Sequence, residues 1–258
     1  MASRVRNVGV RRLTIQGPLE AAFSAPAQGV ALTGVEGGLL EGVDIESHYE
    51  GVAVGGSRQV LISGCRTRGC SQGYAITRSE SVQLVESHAL EGVHGLFLSE
   101  VKDTSVMANI FWRNRGRGIS MVRDPEGSIR IHGNVVSFSG ESSIALDNVR
   151  GASLRGNVVH NASLTAQGKF AGVLLAGSSA CRIVANRIGD ELYDPFQTTA
   201  IKEDAGADEN VVQYNVVCPI NWPPSGKLDN LIATSGKKTV AADNVLYPYP
   251  PVKQAKQL

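Results

Sequence analysis

The stretch Arg155-Gly156-Asn157-Val158-Val159-His160-Asn161 places an asparagine inside a run that otherwise has the composition of a buried strand. Close copies of this phrase occur at residues 131–136 and 212–217, and looser copies at 106–111, 183–188 and 241–246. Aligned, the copies give one column of asparagines: Asn109, Asn134, Asn157, Asn186, Asn215 and Asn244. An asparagine repeated at one position of a strand phrase predicts a structural role that recurs along the chain.

The repeat extends well beyond the asparagine phrase. Short strand phrases begin at residues 29, 51, 73 and 95, at intervals of 22, and continue at 118, 143 and 172 at intervals of 23, 25 and 29. Within each unit apolar and polar residues alternate at period two, and Gly or Ser stands at the bends. A strand-only unit of this length cannot cover its own hydrophobic face, so successive units must stack. This pattern predicts an all-β solenoid, a parallel β-helix of about three short strands per coil with coils roughly 4.8 Å apart.

Stacking at that spacing explains the asparagine column. A tight bend leaves backbone donors and acceptors that no strand satisfies, and burying them unpaired is costly. Asn tolerates the left-handed backbone conformation that such a bend often requires, and its amide carries both a donor and an acceptor. We therefore expect a ladder of asparagine side chains bonded to one another and to the bend backbone along the axis.

With this ladder the sequence resembles the right-handed parallel β-helix proteins, the pectate-lyase-like superfamily with short parallel β-helix repeats. The resemblance covers about residues 9–247. It implies a single-stranded right-handed solenoid of about 9–10 coils over residues 1–247, followed by a Pro-rich tail at 248–258. Members of the superfamily cleave or epimerise acidic polysaccharides, whereas others are tail spikes, adhesins or accessory proteins without catalysis, so fold alone does not fix activity.

The amino-acid composition limits the classes of binding partner. The 25 basic and 24 acidic residues nearly balance, which argues against nucleic acid or an anionic membrane as partner. No apolar run approaches the roughly 20 residues that span a bilayer. The four cysteines have no metal-ligand spacing and are expected to be small buried thiols. Localisation stays open: extracellular or cell-surface if an export signal has been removed, cytoplasmic otherwise.

The chain enters its first repeat within about ten residues, without the helical or loop cap that these proteins usually carry. We therefore expect the first coil to be covered by a partner subunit in a homo-oligomer, or by a longer parent chain.

Outward-facing charged residues form two candidate clusters. The first precedes the strand of each unit and contains His94 and Arg117; the second lies at the far end and contains Arg78, Glu100, Arg123 and Asp147. Six residues of strand, roughly 20 Å, separate the ends, so His94 and Glu100 cannot share one reacting atom. The second cluster is typical of a solvated charge ladder between coils; its functional interpretation makes Asp147 or Glu100 a base and Arg123 the cation for a substrate carboxylate.

Three insertions follow the asparagine strand, at 160–170, 189–198 and 218–228, and they favour a functional role for the first cluster. Stacked insertions build a wall along a groove. They supply Lys169, Tyr193, Asp194, Phe196 and Trp222, and the outward column of the strand adds Phe97 as a further substrate contact. In this interpretation Arg117 or Lys169 neutralises a uronate carboxylate, and His94 or Tyr193 moves the proton. The alternative interpretation of each residue is that its side chain covers an edge of the core and has no functional role.

Several motifs of the superfamily are missing. The sequence has no three aspartates on adjacent coils, as its hydrolases use, and no compact acidic group suited to calcium, so no cofactor is predicted, and Ca2+ is a possible ligand that the sequence does not support. The tetrapeptide Asp124-Pro125-Glu126-Gly127 lacks the histidine and second acid of the Asp-Pro-His-Asp motif of alginate epimerases and is interpreted as a turn.

Two hypotheses follow. The leading one is a protein that holds an extended, uronic-acid-containing polysaccharide and, if catalytic, acts as a lyase or C5-epimerase. The alternative is a non-catalytic spike, adhesin or assembly module, trimeric in one version, that uses the flat outward column of Ala31, Ala53 and Ala75.

Overall fold

The computed structural model describes residues 5–17, 27–124, 128–190, 197, 199–218 and 231–247. Within these residues the strands form three sheets, and all strand pairs are parallel. Each coil adds one strand to each sheet in the fixed order A, B, C. The predicted single-stranded parallel β-helix is confirmed, with ten described strands in sheets A and B and nine in sheet C.

Sheet A contains β1 (Val5–Arg11), β4 (Val35–Glu41), β7 (Arg58–Ser63), β10 (Glu80–Val85), β13 (Ser105–Met107), β16 (Arg130–His132), β19 (Ser153–Arg155), β22 (Arg182–Val184), β25 (Val211–Gln213) and β28 (Val240–Ala242). Sheet B contains β2 (Thr14–Gln16), β5 (Asp44–Glu46), β8 (Arg66–Arg68), β11 (His88–Leu90), β14 (Ile110–Trp112), β17 (Val135–Ser137), β20 (Val158–His160), β23 (Arg187–Gly189), β26 (Val216–Val217) and β29 (Val245–Leu246). Sheet C contains β3 (Gln28–Thr33), β6 (Glu50–Gly55), β9 (Gln72–Thr77), β12 (His94–Ser99), β15 (Ile119–Asp124), β18 (Ile144–Val149), β21 (Val173–Ala176), β24 (Ile201–Glu203) and β27 (Ile232–Ala233).

The core is a column of like side chains along the axis. The central inward residues of sheet A are fully buried in eight successive coils: Leu40, Ile62, Leu84, Val106, Ile131, Leu154, Ile183 and Val212. Each is stacked on its equivalent in the next coil, and burying one such side chain contributes about 1.5–3 kcal/mol. A single coil cannot bury these side chains by itself, so stacking between coils stabilises the solenoid.

The asparagine ladder is present at the bend between sheets A and B. The Nδ2 of Asn157 donates to the Oδ1 of Asn186 at 2.9 Å and to the backbone oxygen of Ile131 at 2.7 Å. Its Oδ1 accepts from the backbone and side-chain nitrogens of Asn134, both at 3.0 Å. Equivalent bonds join every neighbouring pair from Asn109 to Asn244. Earlier coils continue the column with smaller groups, because Cys65 N–H donates to Ser87 Oγ and Ser87 N–H to Asn109 Oδ1.

One detail of the prediction was wrong: the ladder asparagines do not adopt the left-handed conformation. The residue before each one does, as at Ala108 (φ 55°), Ala185 (φ 55°) and Tyr214 (φ 56°). This residue points outward, whereas the asparagine side chain must point inward to reach its neighbours. Asparagine is therefore selected at this bend for its hydrogen bonds and not for its tolerance of positive φ.

Glycine at the start of sheet C has a packing reason. A Cβ on Gly95 would lie 2.4 Å from the carbonyl oxygen of Gly118, and one on Gly73 would lie 2.6 Å from that of Gly95. The backbones of these coils approach too closely for a side chain, which explains glycine here, whereas Ser143 and Ala200 occupy the equivalent position in later coils.

The four cysteines are free and buried, as predicted. Burial raises the pKa of Cys65 and Cys70, and it raises the pKa of Cys181 to about 11. The thiols of Cys65, Cys70 and Cys181 are therefore protonated at neutral pH and pack as small apolar side chains.

Some expectations fall outside the described part of the chain. The tail at 248–258 is not among the described residues, so the boundary at residue 247 stays a prediction, as does a partner over the first coil. Among the described residues, no helix combines the length and apolarity needed to cross a membrane.

Candidate functional site

The outward face of sheet C positions the candidate residues. Strand pairing aligns Ala31, Ala53, Ala75, Phe97, Ser120, Ala145 and Leu174 in one column, as the sequence indicates. The first coils thus present a flat surface of small residues, and Phe97 is the first large side chain along it. Charged residues then collect beside Ser120 and Ala145.

The centre of the site is Arg117, which lies just before β15. Its Nη1 lies 2.5 Å from Oδ2 of Asp147 and 3.3 Å from Oγ of Ser120. Its Nε lies 3.5 Å from Oε2 of Glu141. The Arg117 and Asp147 side chains are each 26% exposed, so this pair is open to solvent on one side only.

This contact joins the two clusters that the sequence separates. Arg117 belongs to the first cluster and Asp147 to the second, on the next coil. The long arginine side chain runs along the sheet past Ser120 and ends where Asp147 extends from β18. Strand spacing alone does not reveal this contact, because it measures backbone positions and not the reach of side chains.

His94 lies beside Arg117 on the preceding coil. Its Nδ1 accepts a hydrogen bond from the backbone N–H of Arg117 at 3.1 Å, so the neutral ring carries its proton on Nε2. Burial lowers the pKa of His94, and Arg117 lowers it further, whereas Glu141 opposes the shift. The lowered pKa favours the neutral imidazole, with Nε2–H as its donor, and the role of His94 in moving a proton stays a prediction.

Glycine shapes this part of the site as well. A Cβ on Gly116 would lie 2.5 Å from Cε1 of His94, and one on Gly118 would lie 2.2 Å from Cγ1 of Val136. Gly116 therefore allows His94 to lie against the chain beside Arg117, and Gly118 allows Val136 of β17 to pack against the other side. Together His94, Arg117, Ser120, Glu141 and Asp147 form what we call the Arg117 site.

The first insertion lies along one edge of this site. The backbone nitrogens of Ser163, Leu164 and Thr165 donate to the backbone oxygens of Glu141, Ser139 and Gly140 at 3.0–3.2 Å. The predicted wall thus begins next to Glu141. Lys169 is exposed, and its Nζ lies 5.3 Å from the centre of the Phe170 ring. Tyr193, Asp194, Phe196 and Trp222 lie outside the described residues, so their place in the wall stays a prediction.

The remaining charged residues of the second cluster occupy a bend. Arg78, Glu100 and Arg123 are exposed and have φ of 48°, 54° and 55°, in a column that also contains Gly56 and Gly177. Within the described part of the chain they form no ion pair with one another. Arg78 and Glu100 directly follow β9 and β12, and Arg123 is the second-last residue of β15; among the described residues, the contacts of the Arg117 site do not include them.

Two residues of the site, Glu141 and Ser120, were not predicted. Ser120 lies in the outward column of sheet C, and this position is the only feature of the sequence that points to it. Glu141 lies in a loop between β17 and β18, and the sequence offered no periodicity to place it.

Over the described residues, no three His, Cys, Asp or Glu side chains come close enough to hold a metal ion. Buried Asp124, the first residue of the predicted turn, lies at the end of β15, and residues 125–127 are outside the description. Glu203, the last residue of β24, is engaged within the protein, since its carboxylate accepts from Asn210, Thr239, Ser235 and Gly236.

Comparison with known proteins identifies the family. A model described as the right handed beta helix region matches residues 10–188, more than half of the chain. The chain belongs to the right-handed β-helix family. No curated protein matches it significantly by sequence.

Solved members of this fold class include carbohydrate-active proteins. The chain resembles the A-module of the Azotobacter vinelandii mannuronan C-5 epimerase AlgE6 with a TM-score of 0.66 and 14% identity, covering 96% of this chain and 76% of that one. It resembles the periplasmic alginate epimerase AlgG with a TM-score of 0.58 and 14% identity, covering 83% of this chain and 51% of that one. For DFA-IIIase from Arthrobacter chlorophenolicus A6 the TM-score is 0.63 at 12% identity, over 90% of this chain and 59% of that one. The chain thus spans only about half the length of two of these proteins, and identities this low show a shared fold.

Proposed function

We propose that this protein binds an extended, uronic-acid-containing polysaccharide across sheet C, with Arg117 as the contact for a sugar carboxylate. The observation that carries the proposal is the Arg117–Asp147 pair on the outward face of the sheet, a cation beside a carboxylate on neighbouring coils. Among the described residues, the side-chain contacts of Arg117 use Nε and Nη1, so its Nη2 could receive a ligand carboxylate.

The charge distribution supports an anionic ligand. Residues 104–190, which include the Arg117 site, contain ten basic and five acidic residues, although the whole chain is nearly neutral. Such a band of positive potential concentrates a polyanion at the middle of the solenoid. Two of the fold's solved neighbours are named as epimerases of mannuronan and alginate, which is consistent with this class of ligand.

The site also contains groups for proton abstraction beside a carboxylate. Arg117 would neutralise the substrate carboxylate and so acidify the adjacent C5–H, and Asp147 would accept that proton. The electron pair left on C5 is delocalised into the carboxylate. It then either expels the oxygen on C4, which is elimination, or takes a proton on the opposite face, which is C5-epimerisation. His94 would donate its Nε2–H to a substrate oxygen.

Binding of oligouronates to the Arg117→Gln variant tests the proposal. The loss of a charged hydrogen bond of 1.5–3 kcal/mol predicts roughly ten- to hundredfold weaker binding by titration calorimetry. Arg68→Gln is the matched control, because Arg68 also pairs with a carboxylate of the next coil, Glu91 at 2.8 Å, but on sheet B. Equal affinities of the two variants, or a wild-type protein that binds neutral oligosaccharides as well, would contradict it.

Turnover is measured separately. Elimination generates a double bond conjugated with the carboxylate, which absorbs in the ultraviolet, and epimerisation changes the proton spectrum of the polymer without such absorbance. Asp147→Asn should abolish either reaction. If the wild-type protein shows neither reaction yet binds the polymer, it is a recognition module.

The flat column of Ala31, Ala53 and Ala75 favours a second candidate, a non-catalytic assembly module that packs sheet C against another surface. A protein that binds no oligouronate and sediments as a trimer would favour this second function.

A further inference from the structure

Sheet A presents a second group of cations, on a different face of the solenoid from the Arg117 site. Arg130 on β16, Arg155 on β19 and Arg182 on β22 are exposed. Strand register places Ser153 between Arg130 and Arg182, and it pairs Arg155 with His132. Arg130 and Arg182 thus lie opposite Ser153 on the two neighbouring strands, each strand about 4.8 Å from the next, and Arg155 lies two residues along the same strand as Ser153.

These arginines differ from those elsewhere on the surface because they have no acidic partner. Arg58, Arg66 and Arg68 each pair with a carboxylate of a neighbouring coil at 2.8–3.3 Å. Across the described ranges, no carboxylate lies within 4.0 Å of Arg130, Arg155 or Arg182. Positive charges on neighbouring strands repel one another, and a bound anion would offset that repulsion.

Two hydrogen bonds involve side chains of the cluster. The Nε of Arg130 donates to Oγ of Ser105, on the preceding strand β13, at 3.1 Å. Oγ of Ser153 lies 3.1 Å from Nε2 of His132. Burial lowers the pKa of His132, and the charges of Arg130 and Arg155 lower it further, so the imidazole experiences the unbalanced positive potential directly.

We propose that Arg130, Arg155, Arg182 and Ser153 form a binding site for a tetrahedral oxyanion, sulfate or phosphate, either free or as an ester on a larger ligand. Guanidinium groups match the oxygens of such anions with paired hydrogen bonds, and a doubly charged anion best offsets three cations. The site is on sheet A and is independent of the function proposed for sheet C.

His132 serves as an internal reporter in the test. Its imidazole is titrated by NMR in the full chain, with the resonance assigned from a His132→Gln variant, in sodium sulfate and in sodium chloride of equal ionic strength. Bound sulfate offsets the charges of Arg130 and Arg155, so the pKa of His132 should rise in sulfate more than in chloride, and the rise should saturate. Equal shifts in the two salts would mean general screening and would overturn the proposal.

Substitutions test whether the response of the His132 pKa to sulfate depends on the three arginines. Arg155→Gln should raise the pKa of His132 in the absence of sulfate and weaken sulfate binding roughly tenfold, and adding Arg130→Gln and Arg182→Gln should remove the response. Arg68→Gln should keep it. Persistence of the sulfate response in the triple variant, or an equal response to acetate, would refute the site.

Two further measurements distinguish a free anion from an ester ligand, and the sheet A site from the Arg117 site. A sulfated or phosphorylated sugar that binds more tightly than the inorganic anion indicates an ester ligand, and equal affinity indicates the free anion. Arg117→Gln should leave the sulfate response unchanged while it weakens oligouronate binding, so each proposal fails independently. Because the three arginines are exposed, thermal unfolding of the variants should resemble that of the wild type.

Discussion

At the residue scale, hydrogen bonding decides which side chains this solenoid accepts at its bends. Each ladder asparagine satisfies groups on both neighbouring coils, and each is fully or almost fully buried up to Asn215. Serine and cysteine perform the same task in the first coils with fewer bonds. A side chain with fewer polar atoms is thus tolerated near one end of the column, whereas the middle depends on the full amide.

Asn157→Ala tests the ladder. The substitution leaves the backbone N–H of Asn134 and the backbone oxygen of Ile131 buried without this partner. We expect a loss of about 2–4 kcal/mol in the free energy of unfolding, measured by urea denaturation. Gln83→Ala, which removes an exposed amide on β10, should change it by less than about 0.5 kcal/mol. A loss no larger than this control would contradict the buried ladder.

At the element scale, the bend between sheets A and B is a two-residue turn in which the two residues have separate tasks. The first has positive φ and faces solvent, and the second is the inward ladder residue. Glycine takes the first position at Gly133 and Gly156, but Ala185 takes it at φ 55°. A residue with a Cβ is strained in this conformation.

Ala185→Gly is therefore expected to stabilise the protein, by up to about 1 kcal/mol, because glycine removes that strain. The matched control is Ala31→Gly on strand β3, an exposed alanine without positive φ, where glycine should cost about 0.5–1 kcal/mol. Thermal unfolding of the two variants should shift in opposite directions. Shifts of the same sign would show that position 185 is not left-handed.

At the scale of the whole molecule, the coil is the repeating unit of stability. Each coil contacts mainly its two neighbours through parallel pairing, so a coil can be removed if the junction preserves register. Pairing of Arg58 with Glu80 shows that positions 22 residues apart are equivalent in this part of the chain.

Deletion of residues 58–79 should therefore give a folded, shorter solenoid. The deletion joins Ser57 to Glu80, so the chain leaves β6 and enters the next strand of sheet A in the same column. We expect the β-sheet circular dichroism signal and a cooperative thermal transition to persist, at a lower melting temperature. Deletion of residues 58–68 alone removes two strands of one coil and should abolish that transition. A cooperative transition in both deletions would contradict a stacked architecture.

The sequence alone determined the architecture, because coil stacking places equivalent residues next to each other and the period of the repeat is readable from one chain. The parallel sheets, the ladder from Asn109 to Asn244 and the outward column through Ala53 and Phe97 all follow from that period. The tertiary structure decided the site: Arg117 reaches Asp147 across a strand, Glu141 enters from a loop, and the backbone N–H of Arg117 fixes the tautomer of His94. The period of the repeat determines where the backbone of each coil lies. The reach of a long side chain and the path of an irregular loop depend on packing, which the repeat does not encode.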